Sequence, residues 1–187
     1  MKHIVFSENA DKKSGFTFLC IIIALAIVTG SFTYSDNLFQ KAFTLYISKN
    51  GFQVLNDILS LCIFMVLYFL CGLSAVGQPF SVFVLFIEGI KTGAEMSELY
   101  KNISDNFVLA KQLVCIIPKT VVILFISVIA VRESIISSNE IFRCISRNEV
   151  SDKRNSLKLY CLRFIILFVF SLLILVIFHF IEVLFQK

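Results

Sequence analysis

The sequence predicts an all-helical, polytopic membrane protein with five transmembrane helices and short interfacial or re-entrant helices beside them. Three observations carry that expectation. The 187 residues are 58% hydrophobic, with a mean hydropathy of +0.88. A soluble domain is nearer ~45–50% apolar, and a single core of this size cannot hide so much apolar area. Five apolar stretches also reach or approach the ~20 residues that a spanning helix needs. The polar segments between them are short, so residues 1–187 read as one integral membrane domain.

The first stretch, residues 16–34, carries no charge. Lysines precede it, as they do in a signal peptide. Its apolar core exceeds the ~7–15 residues of a signal h-region, and no convincing small-residue cleavage site follows, so it reads as a span. Residues 55–76 are apolar after Asp57. Residues 79–96 contain Glu88 and Lys91. Residues 118–137 are apolar up to Arg132, and residues 160–185 carry Arg163, His179 and Glu182.

Orientation follows from where the basic residues fall. With the N-terminus inside, nine Lys and Arg lie on the cytoplasmic side and six outside, leaving Lys91 and Arg163 aside. Cytoplasmic loops carry the excess of Lys and Arg. The bias is modest and favours a multi-pass plasma-membrane protein with its N-terminus cytoplasmic and its C-terminus outside. The formal charge of +4 says little by itself, and no nucleic-acid partner is expected. The six cysteines form no CxxC pair and read as small packing residues, not as a disulfide framework or a zinc site.

The connections are equally telling. Only Gly77 and Gln78 separate the second and third stretches, which predicts a tight antiparallel hairpin on the inner side. Pro79 then falls in the first turn of the next helix, where its missing N–H costs nothing. Residues 36–50 show apolar positions at three- and four-residue steps and read as a short interfacial helix. Residues 107–117 are too short to span and lead into Pro118, so they read as an interfacial or re-entrant piece. Residues 138–159 read as an inner loop in which Ser138 or Asn139 caps a short basic helix.

Glu88 is the one acid expected near mid-bilayer, roughly 13 Å from the inner edge at ~1.5 Å per residue. A carboxylate there costs several kcal/mol unless it is protonated, paired or wet. Lys91 and Glu95 follow on the same helical face. This stripe reads either as an ion or proton path or as a polar seam facing other helices, with Lys91 or a neighbouring helix matching Glu88. Gly89 and Gly93 form a GxxxG pair, which permits close approach of a neighbouring helix. With Gly72, Gly77 and Pro79, these residues define an expected helix-contact face. Pro118, Lys119, His179 and Glu182 are candidates for partner contact or for the outer membrane edge. His179 and Glu182 supply two of the ligands a metal site would need, so no metal is expected. The sequence shows no nucleophile–base constellation and no phosphate loop. An enzyme is not expected, nor is a cofactor.

The stretch GLSAVGQPFSVFVLFIEGIKTG resembles the central signature of the stage II sporulation protein M family: a G-L-S-x-x-G-x-P turn, an apolar helix, then G-x-x-x-G. The matching positions are Gly72, Leu73, Ser74, Gly77, Pro79, Gly89 and Gly93. Pro118, Lys119 and Thr120 resemble the family's later Pro and polar pair, although that pair is usually Gln-Asn or His-Gly. Glu182 resembles the Glu near the end of the family's final helix. The resemblance covers roughly residues 55–185. It implies a five-span protein of an endospore-forming bacterium, in the septal or mother-cell membrane. There it would take part in engulfment, anchoring a peptidoglycan-degrading complex with sporulation proteins D and P.

Two functions therefore stand as expectations. One is a non-enzymatic membrane scaffold for sporulation peptidoglycan remodelling, with lipid, wall-hydrolase or other membrane proteins, and a second copy of the chain as candidate partners. The alternative is the membrane subunit of an ABC-type exporter or channel that uses Glu88 and Lys91 along a pathway.

Overall fold

The computed structural model describes residues 2–33, 53–102, 106–147 and 153–186. Among the described residues there are five helices and no strand. They are α1 (Lys2–Thr33), α2 (Gln53–Leu73), α3 (Gly77–Asn102), α4 (Asn106–Arg147) and α5 (Lys153–Gln186). The interfacial helix expected at residues 36–50 falls outside the described residues.

Three helices are long and apolar enough to cross a membrane, through Gly15–Phe32 of α1, Ile116–Phe142 of α4 and Leu157–Ile181 of α5. α2 offers the shorter apolar run Asp57–Leu73. In α3, Glu88, Lys91 and Glu95 interrupt the apolar character. Composition and length thus mark three spans, fewer than the five expected.

α2, α3 and α4 pack against one another. α1 lies along α3 and touches α4, while α5 lies along α4 and touches α2. Leu19, Met65, Leu85, Val131, Phe164 and Leu175 form part of the core. The outside is just as apolar: Phe18, Leu25, Leu70, Phe83, Ile166 and Phe180 are each more than half exposed. Ser81, Ser127, Ser138 and Ser171 are buried instead. Polar groups inside and large apolar groups outside invert the pattern of a water-soluble domain. Hydrocarbon requires this arrangement, because it offers polar groups no partners.

Two local expectations need correction. Residues 107–117 are not a separate interfacial or re-entrant piece, and residues 138–147 are not a loop with a newly capped helix. Both belong to α4, which runs unbroken for 42 residues. Pro118 sits inside it and leaves the Val114 carbonyl without its usual donor. Thr120 Oγ1 donates to the Ile116 carbonyl at 2.8 Å and ties the turn that contains the proline. At the other end, the Ser138 hydroxyl donates to the Ser74 carbonyl at 2.7 Å. The hydroxyl expected to start a new helix is committed to a tertiary contact, so nothing interrupts the old one.

The α2–α3 hairpin turns at Ser74, Ala75 and Val76, slightly before the expected Gly77–Gln78. Ser74 N–H donates to the Cys71 carbonyl at 3.2 Å, and Gly77 N–H to the Ser74 carbonyl at 3.1 Å. A Cβ added at Gly77 would lie 1.7 Å from the Cys71 carbonyl oxygen. A larger residue would force this turn open.

Candidate functional site

The GxxxG face of α3 is turned toward α1, which meets it with a matching step of small residues. Ala26 and Gly30 lie four apart on α1, opposite Gly89 and Gly93. A Cβ on Gly93 would stand 2.1 Å from the Ile27 carbonyl oxygen, and one on Gly30 would stand 2.2 Å from that of Ile90. A Cβ on Gly89 would meet the Ala26 methyl at 2.5 Å. The two backbones therefore touch directly, and Ser31 Oγ lies 3.3 Å from the Gly93 carbonyl as a cross-helix donor.

The adjacent side of α3 carries the polar stripe, and α2 and α4 cover it. Glu88 is buried. Tyr68 of α2 donates its hydroxyl to Glu88 Oε2 at 2.5 Å. Ser127 of α4 donates to Oε1 at 2.8 Å. One carboxyl group thus joins three helices. Thr92, one turn on and also buried, donates to the Glu88 carbonyl at 2.9 Å.

Lys91 lies farther along the same seam. Its ammonium donates to Ser60 of α2 and approaches Glu95 Oε1 at 3.4 Å. It also stands 5.9 Å from the centre of the Phe64 ring, within reach of a cation–π attraction. Of the two matches expected for Glu88, a neighbouring helix supplies the contact through Tyr68 and Ser127, while Lys91 contacts Ser60 and Glu95. Beyond Lys91, Lys119 of α4 pairs with Asp57 of α2 at 2.8 Å. From Glu88 to the Asp57–Lys119 pair, the seam follows α4 for eight residues, from Ser127 back to Lys119. That is ~12 Å at ~1.5 Å per residue.

The opposite end of the bundle is closed differently. Tyr160 of α5 donates its hydroxyl to the Phe69 carbonyl at 3.0 Å and stacks on the Phe69 ring, with centroids 5.5 Å apart. Gly72 makes room for it, since a Cβ there would lie 2.0 Å from the Tyr160 oxygen. Phe164 packs against both rings. Arg163, at the rim, pairs with Glu133 at 2.9 Å.

Of the remaining expected site residues, Lys119 joins the seam through Asp57. Pro79 is exposed and lines a shallow apolar groove with Ile22, Leu25 and Phe83. Pro118 is exposed on α4, and its neighbour Lys119 is held by Asp57 within the chain. His179 is half-buried near the far end of α5. Glu182 lies in the same helix, with its side chain outside the described residues.

Sequence reasoning missed Tyr68, Ser127, Ser60 and Tyr160, and the Ala26–Gly30 step. A hydroxyl inside a long apolar run is the available signal for the first three, because a span gains nothing from a polar group that faces lipid. The arrangement can hold α2, α3 and α4 together through one carboxyl group, and α1 against α3 through bare backbone. Compared with known proteins, the chain matches no family model, no curated protein and no solved structure.

Proposed function

We propose that the chain is a five-span membrane protein, N-inside and C-outside, working as a non-enzymatic scaffold. In this reading α2 and α3 also cross the bilayer, because the charges of α3 face α2 and α4 within the bundle. The observation that carries it is how the seam is matched inside one chain: Glu88 by Tyr68 and Ser127, Lys91 by Ser60 and Glu95, Lys119 by Asp57. Such a seam fixes helices in place and leaves the outer surface of the bundle to engage partners.

The more particular reading rests on the sequence resemblance. The scaffold would anchor wall hydrolases, similar to sporulation proteins D and P, at the septal membrane during engulfment. Pull-down of the tagged chain from sporulating cells tests it: recovery of a wall hydrolase supports the reading, and recovery of a transport ATPase refutes it. A C-terminal reporter active only in the cytoplasm would sink the topology.

One observation favours the second reading, an exporter or channel subunit. The charged groups of the seam extend from Glu88 toward the Asp57–Lys119 end. If that reading holds, Glu88→Gln protein accumulates normally, keeps its partners and loses only a gradient-dependent flux. The scaffold loses no flux.

A further inference from the structure

Among the described residues the charges of the seam do not balance: its cations are Lys91 and Lys119, and its acids are Asp57, Glu88 and Glu95. The described ion pairs consume both cations, Lys91 with Glu95 and Lys119 with Asp57. Among the described residues, the groups in contact with the Glu88 carboxyl are the hydroxyls of Tyr68 and Ser127, both neutral, and Lys91 is the nearby cation, one turn along α3. Three helices bury it, and α1 covers the adjacent small-residue face with Ile23 and Ala26.

An ionised carboxylate in that position has hydrogen bonds but no cation in contact, which is costly in a low-dielectric interior. A proton removes the charge and leaves the hydrogen bonding complete. Tyr68 still donates to one oxygen, and the protonated oxygen can donate to Ser127, whose hydroxyl oxygen also accepts. The two ends of the bundle differ in how a proton could arrive. Toward the Tyr160 end the apolar layer of Leu85 and Val131 comes first, and the buried hydroxyls of Ser81 and Ser134 and the Phe69–Tyr160–Phe164 cluster lie beyond it. Toward the other end lie Thr92, Lys91, Ser60 and Glu95, then Asp57 and Lys119. Glu95 and Asp57 are 44% and 37% exposed against 7% for Glu88, so they are the accessible acids of the seam.

We propose that Glu88 is a proton-binding site at the junction of α2, α3 and α4, occupied at neutral pH and exchanging with the face that carries Asp57 and Lys119. The proton site does not depend on the scaffold reading, and pull-down results leave it untouched.

Two measurements on the full-length chain in membranes test it. Infrared spectra of wild type and Glu88→Gln are compared at neutral pH. The expected result is a protonated-carboxyl carbonyl band present in wild type and lost in the variant; a wild type without that band overturns the proposal. The second uses dicyclohexylcarbodiimide, which reacts with protonated carboxyls in membranes, on vesicles sorted by the side on which a C-terminal tag is protected. Mass spectrometry then locates the adduct. Label at Glu88 should be lost as pH rises on the Asp57–Lys119 side and should ignore pH on the other. Label that follows the opposite side, or ignores pH on both, overturns the exchange path.

Discussion

Gly93→Ala adds one methyl where the structure leaves no room for it. Its Cβ would stand 2.1 Å from the Ile27 carbonyl oxygen and 3.0 Å from Ser31 N. Ordinary contact begins near ~3.4 Å, so α1 and α3 must separate by about 1 Å. A gap of that size forfeits roughly a quarter to a half of the dispersion well for each facing atom pair. It also stretches the Ser31–Gly93 hydrogen bond, already 3.3 Å long. Overpacking of this kind costs ~1–3 kcal/mol. A loss of ~2 kcal/mol lowers the folded-to-unfolded ratio about 30-fold. Reversible unfolding in mixed micelles, followed by fluorophores on α1 and α3, measures it. Phe83→Leu, on an exposed position of α3, is the control and should stay within ~0.5 kcal/mol of wild type. If Gly93→Ala is as silent as Phe83→Leu, direct backbone contact between α1 and α3 is not what holds them.

Glu88→Leu should cost ~1–3 kcal/mol in the same unfolding assay, because Tyr68 loses its acceptor and Ser127 its hydrogen-bond partner together. Lys91→Met should not rescue Glu88→Leu, since Lys91 contacts Ser60 and Glu95; recovery in the double variant would restore a Glu88–Lys91 pair as the determinant. Lys119→Met should lower stability and Asp57→Asn made with it should recover part of the loss, read as a double-mutant cycle. Tyr160→Phe should cost ~1 kcal/mol through the Phe69 carbonyl, leaving the ring stack intact, and equal stability of the two proteins counts against that bond.

Much of the architecture was legible because it is written in helical periodicity and in glycine. The apolar stretches became helices, and the GLSAVGQP segment became the hairpin. The GxxxG pair lies against a neighbouring helix. What escaped notice were partners on other segments. A lone serine such as Ser127 in a long apolar run has no local signature, because its meaning depends on meeting Glu88 across 39 residues of chain. Ser138 misled for a related reason: as a local sequence it is a helix cap, and only the Ser74 carbonyl opposite it says otherwise. Pro118 reads as a break by the usual rule for soluble helices, a rule that bundled helices relax. The pairing of Lys91 was ambiguous from spacing alone, since Glu88 and Glu95 lie three and four residues to either side of it.

The length of α4 has a mechanical consequence. Forty-two residues make a rod of ~63 Å, about twice the ~30 Å hydrocarbon thickness. Such a rod passes tilt and torque from one face to the other without a joint between Pro118 and Arg147. Pro118, twelve residues from its start, is where a bend costs least. The Asp57–Lys119 pair sits beside that bend, and the Ser74–Ser138 bond clamps the shaft near its far end. A partner that leans on the Arg147 end would therefore move a lever whose fulcrum lies at the clamp and whose compliant tip is the proline.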